Sequence, residues 1–172
     1  IRAAEGGVGY AKAAGNYAGS LYPTELAKRE GYDQVLWLDA KEFKYCQEVG
    51  TMNIFFVIGD TIITPSTDKG TILEGITKDS LMHLLKAKGH KVEERMISID
   101  EVVAAFKDGS LKEIFGAGTA AVVANVEKVG YKDETINLDI DSYKISPWLK
   151  DTINGIRSCR LEDDHGWTVK VV

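Results

Sequence analysis

The residues most able to do covalent chemistry begin with Lys12, set among small neighbours in Val8-Gly9-Tyr10-Ala11-Lys12-Ala13-Ala14-Gly15-Asn16-Tyr17. Small side chains allow a bulky planar group to approach the ε-amine. They also predict an amine kept partly out of water, with a lowered pKa and the reactivity of a Schiff-base nucleophile. A solvated loop lysine is the competing reading of the same residues. The surrounding glycines do not make a nucleotide site. A phosphate-binding P-loop needs Gly-Lys-Ser/Thr, whereas Lys12 lies between Ala11 and Ala13, and the dinucleotide pattern begun by Gly7-Val8-Gly9 has Lys12 where its third glycine should fall.

A second cluster is Cys46-Gln47-Glu48-Val49-Gly50-Thr51-Met52-Asn53, which leads directly into the apolar run Ile54–Ile58. A carboxylate at the mouth of a buried strand is costly unless a cation meets it, and a protonated pyridine nitrogen is one such cation. A turn carboxylate in solvent is the plainer alternative. Two further segments suit anions. Glu74-Gly75-Ile76-Thr77 falls where a helix begins, so the amides of Ile76 and Thr77 would carry the positive end of the dipole. Phe115-Gly116-Ala117-Gly118-Thr119-Ala120 reads as a Gly-rich turn exposing successive N–H groups and a hydroxyl. Each also reads as an ordinary helix cap or tight turn.

The elements that must hold these residues follow from periodicity and punctuation. A helix is expected over roughly 17–30, with Pro23 a point of kinking and Gly31 its stop. Gln34–Leu38 reads as a buried strand, and Asn53–Ile58 and Thr61–Thr64 flank Gly59-Asp60 as a hairpin. Thr77 is the expected N-cap of a helix ending near Gly89 with Leu81, Leu84 and Leu85 on one face. Lys91–Ile97 is a strand candidate, and Ser98-Ile-Asp-Glu101 a capping box for a helix through Lys107, stopped by Gly109. Ala120–Val126 is a further strand, and Ser146-Pro147 opens a last helix. Strands and helices alternate without a linker or repeat, so the expected class is mixed α/β around one core.

Bulk properties exclude several functions. The 172 residues, 44% hydrophobic and 27% charged, suit one globular domain. The net charge of −5 with scattered basic residues argues against nucleic acid. No apolar run is long enough to cross a bilayer. Cys46 and Cys159 form no C-x-x-C pair, which favours a reduced, cytoplasmic protein. Glu162, Asp163 and Asp164 beside the lone His165 read as a solvated turn, so no metal is assigned. The abrupt start at Ile-Arg-Ala-Ala, without an initiator Met, reads as a piece of a longer protein.

Taken together, these motifs become recognisable. Lys12–Tyr17, Glu48–Asn53, Gly75-Ile76-Thr77 and Phe115–Ala120 resemble, in order and spacing, the branched-chain amino acid aminotransferases of the fold-type IV pyridoxal 5′-phosphate (PLP) enzymes. Asp33–Asp39, Glu48–Phe56 and Val92–Arg95 are especially similar, and the resemblance covers essentially the whole chain. It implies the C-terminal, PLP-binding large domain of that family over 1–172, a pseudo-barrel whose sheets are covered by helices. It also implies an N-terminal small domain outside this chain, and a homodimer for the whole enzyme.

The implied roles fit the residue types. Lys12 would carry PLP as an internal aldimine and shuttle the proton. Tyr17 would bond the cofactor's phenolic oxygen, and Glu48 its pyridine nitrogen. Ile76, Thr77 and the Thr119 hydroxyl would cradle the phosphate, and the amides of Thr119 and Ala120 would meet the substrate carboxylate. The implied reaction passes an amino group from leucine, isoleucine or valine to 2-oxoglutarate. D-amino acid aminotransferase and aminodeoxychorismate lyase share the Lys/Glu pair and remain alternatives, as does a non-catalytic fragment or half-enzyme that binds PLP weakly. Some relatives carry a C-x-x-C pair after the Gly-Thr-Ala turn; here those positions fall in Ala121-Val-Val-Ala124, so no redox switch is expected.

Overall fold

The computed structural model describes residues 1–171. Its central strand is β3 (Met52–Ile58), and the pattern of that strand explains the architecture. Successive side chains of a strand point to opposite faces. Ile54 and Phe56 enter one apolar cluster, with Ile63, Ile97, Ile99, Val102 and Ile114. Phe55 and Val57 enter another, with Ile62, Leu81, Leu85, Leu149 and Ile153. Both faces of β3 are therefore buried, which is why its sequence is continuously apolar rather than alternating.

Around β3 a seven-stranded sheet is assembled. β6 (Leu111–Gly118) runs antiparallel along one edge from Asn53 to Ile58, with Phe55 opposite Phe115 and their rings stacked at 5.1 Å. The other edge is shared. β2 (Cys46–Val49) takes its start at Met52 and Asn53, and β4 (Thr61–Thr64) its end, through a hairpin in which Gly59 adopts a φ of +56°. β1 (Leu36–Leu38) extends the sheet beyond β2, β5 (Lys91–Glu94) pairs parallel to β4, and β7 (Val122–Asn125) pairs antiparallel to β6. β8 (Lys128–Tyr131) and β9 (Glu134–Asn137) make a separate hairpin over the first cluster, through Val129 and Ile136.

Helices close both faces. α3 (Ile76–Ala87) and α5 (Ile145–Arg157) supply Leu81, Leu85, Leu149 and Ile153 to one side; α4 (Ile99–Lys107) supplies Ile99 and Val102 to the other. The mixed α/β class, with sheets covered by helices, is what the sequence predicts. The Ser98 capping box is also observed, its side chain accepting the Glu101 N–H at 3.0 Å.

Several elements differ from expectation. The helix predicted over 17–30 is two helices, α1 (Ala14–Ala18) and α2 (Leu21–Arg29), and the break falls at Gly19-Ser20 rather than Pro23. Pro23 lies in the first turn of α2, where its missing N–H has no intrahelical partner to lose. The cap of α3 is Gly75, not Thr77, and no side chain caps it. β5 stops at Glu94, short of Ile97. The segment Phe115–Gly118, expected as a turn, is strand. Gly116 is there because Met52 and Val49 occupy the space a β-carbon would need, so the glycines signal close packing rather than a bend. The turn moves to 119–121 and β7 is correspondingly shorter than 120–126.

Candidate active site

Lys12 lies in the loop before α1, and Tyr17 on α1 itself. The Lys12 Nζ sits 5.5 Å from the Tyr17 ring centroid. Both line a cavity of about 1020 Å³ that is also lined by Thr119 and Ala120, at the turn between β6 and β7. The loop is pinned by Asn16, whose Nδ2 donates to the carbonyls of Val8 and Ala11 at 2.9 Å each. The small residues around Lys12 do not bury it. The side chain is exposed, so the predicted withdrawal of its amine from water is not seen in this chain, because Ala11, Ala13 and Ala14 have too little bulk to screen it.

The Thr119–Ala120 turn is tightly constrained. Both residues are exposed. The chain re-enters the sheet at Val122 with a φ of +58°, a conformation a β-branched residue adopts only when its surroundings impose it. Val122 is buried in the second cluster, and its packing there is what holds the turn in place.

Glu48 does not line that cavity. It is buried on β2, opposite Asn53 of β3, and its Oε1 accepts the Leu73 N–H at 3.4 Å. Its cationic partner within the chain is Arg2, whose Nε forms an ion pair with Oε2. Burial pushes the Glu48 carboxyl up to about 7, against the opposing pull of Arg2, the Leu73 N–H, Lys12 and Lys78. Asn53 carries the connection onward. Its Nδ2 donates to the Leu73 carbonyl at 2.8 Å, and its Oδ1 fills the space a β-carbon on Gly75 would take. Glu48 is thereby linked to the N-terminus of α3, where Ile76 is strongly exposed and Thr77 half-buried. The structure thus collects Lys12, Tyr17, Thr119 and Ala120 around one cavity. Glu48, Ile76 and Thr77 form a second group outside its lining, joined through Asn53.

Arg2 and Asn53 received no role from sequence. The signal for Arg2 was indirect: a buried carboxylate demands a cation, and the protein supplies one from the start of the chain. Cys46, two residues before Glu48, is a core group, its thiol pushed up to about 12 by burial. At the C-terminal end, Asp163 accepts the N–H groups of His165 and Thr168, as a turn carboxylate does.

Residues 5–129 match the family model described as amino-transferase class IV. The chain belongs to the class IV aminotransferase family. Among curated class IV relatives, it is 50% identical over 172 residues to branched-chain-amino-acid aminotransferase 2 of Bacillus subtilis, covering 99% of this chain and 47% of that protein. It is 49% identical to a probable branched-chain-amino-acid aminotransferase of Staphylococcus epidermidis, covering 48% of it. The fold is that of the Escherichia coli branched-chain amino acid aminotransferase, with a TM-score of 0.80 and 29% identity over 96% of this chain and 51% of that one. A branched-chain amino acid aminotransferase from Thermobaculum terrenum, solved in its PLP form, superposes with a TM-score of 0.75 at 25% identity, over 94% of this chain and 49% of that one. The chain spans about half the length of the curated class IV relatives it matches.

Proposed function

We propose that this chain is the lysine-bearing part of a PLP-dependent branched-chain amino acid aminotransferase, passing an amino group from leucine, isoleucine or valine to 2-oxoglutarate. The observation that carries this reading is the exposed Lys12 amine beside Tyr17, lining one cavity together with the Thr119–Ala120 turn. The donor set fits the cofactor: a primary amine with room around it, a buried carboxylate among cations, and a helix N-terminus that no side chain caps.

When bound, PLP supplies an electron sink conjugated to the reacting amine. Lys12 would hold it and carry a proton to and from the substrate α-carbon through Nζ. The Tyr17 hydroxyl would bond the phenolic oxygen, and Glu48 would keep the pyridine nitrogen protonated. The N–H groups of Ile76 and Thr77, with the Thr119 hydroxyl, would hold the phosphate, while the amides of Thr119 and Ala120 would orient the substrate carboxylate.

Partners are part of this reading. α2 buries none of its residues and leaves Leu21 and Tyr22 exposed, which fits a surface covered by a small N-terminal domain or by the second subunit of a homodimer. A cytoplasmic setting belongs to it too, which two free cysteines suit. Among the described residues no helix is long and apolar enough to cross a membrane.

The test is to incubate the chain with PLP, reduce with borohydride and map the modified peptides. An adduct confined to Lys12 supports the reading. Label spread over many lysines, or none, removes it for this chain. In a longer protein containing this sequence, transfer from valine rather than D-alanine separates the branched-chain reading from D-amino acid aminotransferase.

A further inference from the structure

Arg2 ties together three segments that are far apart in sequence. Its Nη2 donates to the Gly9 carbonyl at 3.1 Å and to the Thr71 carbonyl at 2.6 Å, and its Nε pairs with the Glu48 carboxylate. The first contact is three residues from Lys12, and the second four residues before Gly75, the cap of α3. Both the Arg2 and the Glu48 side chains are under 5% exposed, at 3% and 4%. Gly9 is pressed against Thr71 so closely that a β-carbon there would lie 2.8 Å from the Thr71 Cα, so the loop and the segment leading to α3 are in direct contact beside the guanidinium.

We propose that Arg2 is a positioning residue for the cofactor site: it holds Glu48 as an oriented carboxylate and locks the Lys12 loop to the segment that carries the helix N-terminus. This rests on the PLP reading above. A planar guanidinium suits the task, because one fork can serve a carboxylate and two carbonyls at once, which a lysine ammonium does less well. The other cations acting on Glu48 are Lys12 and Lys78. Lys78 is itself paired with Glu94 and donates to the Pro65 carbonyl, and Lys12 is exposed, so Arg2 is the one in direct contact. Without it, the burial that already raises the Glu48 carboxyl to about 7 would lose its largest opposing influence, and the group would stay protonated to higher pH. A neutral carboxyl cannot stabilise a protonated pyridine nitrogen.

The experiment uses the 172-residue chain with ¹³C-labelled glutamate, Glu48 being assigned by difference with Glu48→Gln. Its titration is followed by NMR in wild type, Arg2→Met and Arg2→Lys, with circular dichroism checking that each is folded. Arg2→Met is expected to raise the Glu48 midpoint by about one unit or more, and Arg2→Lys to restore most of it. In parallel, the PLP concentration for half-maximal trapping at Lys12 should rise roughly tenfold in Arg2→Met, and by less than that when Arg2→Met is added to Glu48→Gln, where only the contacts to the Gly9 and Thr71 carbonyls are left to lose. A folded Arg2→Met with an unmoved Glu48 midpoint overturns the proposal. If Arg2→Met does not fold, Arg2→Lys decides: a midpoint near wild type with slackened protection of the Ala11 amide, which bonds the Val8 carbonyl within the same loop, supports it, and unchanged protection overturns it. If the wild-type chain gives no adduct at Lys12, the PLP reading fails, while the Glu48 titration, which needs no cofactor, still decides what Arg2 does.

Discussion

The carboxylate of Glu113, buried on β6, accepts the backbone N–H of Ser146 at 2.8 Å and thereby caps α5 from another element. The same carboxylate accepts the N–H groups of Lys144 and Ile145 at 2.7 Å each. Helix N-termini expose N–H groups with no intrahelical partner, and a carboxylate placed there also meets the positive end of the dipole. α5 packs Leu149 and Ile153 in the same cluster as Val122 and Val123, the strand that leaves the Thr119–Ala120 turn. A cap on α5 is therefore a support for that turn.

Glu113→Ala is expected to destabilise the chain by roughly 3 kcal/mol, since three N–H groups, that of Ser146 fully buried, lose a charged acceptor. Glu113→Gln keeps one acceptor oxygen and should cost about half as much. Urea unfolding of the three proteins checks this, and equal midpoints would show that water caps α5 as well as Glu113 does.

Gly116→Ala tests why the Gly-rich segment is strand. A β-carbon there would approach Met52 Cε to 2.9 Å and Val49 Cγ1 to 3.1 Å. Overpacking of this kind costs about 1–3 kcal/mol. The double variant Gly116→Ala/Met52→Ala should recover part of that loss, because removing the Met52 thioether vacates the contested space. No recovery would mean that strand geometry, not Met52, is what excludes a side chain at position 116.

How far the site was readable from residues alone depends on what each signal encodes. The hairpin at Gly59-Asp60 and the Ser98 cap are local, and local rules suffice for them. The buried apolar run of β3 is also plain, since two clusters consume alternate residues. Gly116 and Gly118 carry a non-local requirement, the passage of Met52, in a residue type that also makes turns. β8 and β9 contribute one buried residue each, Val129 and Ile136, so no period stands out. Lys12 and Glu48 were legible as chemistry, but Arg2 was not: its partners lie 7, 46 and 69 residues away, and nothing local marks it.

Asp39 gives a pH-dependent prediction away from the site. Burial pushes its carboxyl up, but the N–H groups of Tyr45, Glu42, Lys44 and Lys41 together outweigh that and hold it at about 2, below its ordinary 3.8. A carboxyl depressed in the folded state contributes stability that is present above the ordinary value and lost as pH falls toward the folded one. Asp39→Asn should therefore be less stable than wild type at pH 6, and the gap should close between about pH 4 and 2. Thermal unfolding across that range measures it, and a gap that stays constant would remove Asp39 as its cause.

Glu48 predicts the opposite slope in a different window. Its carboxyl is raised by burial from 4.5 to about 7, with Arg2 the largest opposing influence. In the unfolded chain the group ionises near its ordinary value, so between pH 4.5 and 7 the folded state binds more protons than the unfolded one. Stability contributed by Glu48 must then fall as pH rises through that window, by at most about 3 kcal/mol in all. The comparison protein is Glu48→Gln, which cannot titrate, and any contribution of the three histidines cancels in the difference. Urea midpoints measured without added cofactor should show the wild-type advantage over Glu48→Gln shrinking from pH 4.5 to 7. An advantage that grows with pH would mean that the Arg2 ion pair outweighs burial and that Glu48 is ionised throughout. Adding PLP should flatten the wild-type curve, because a further cationic partner for the carboxylate lowers its folded-state value and narrows the window.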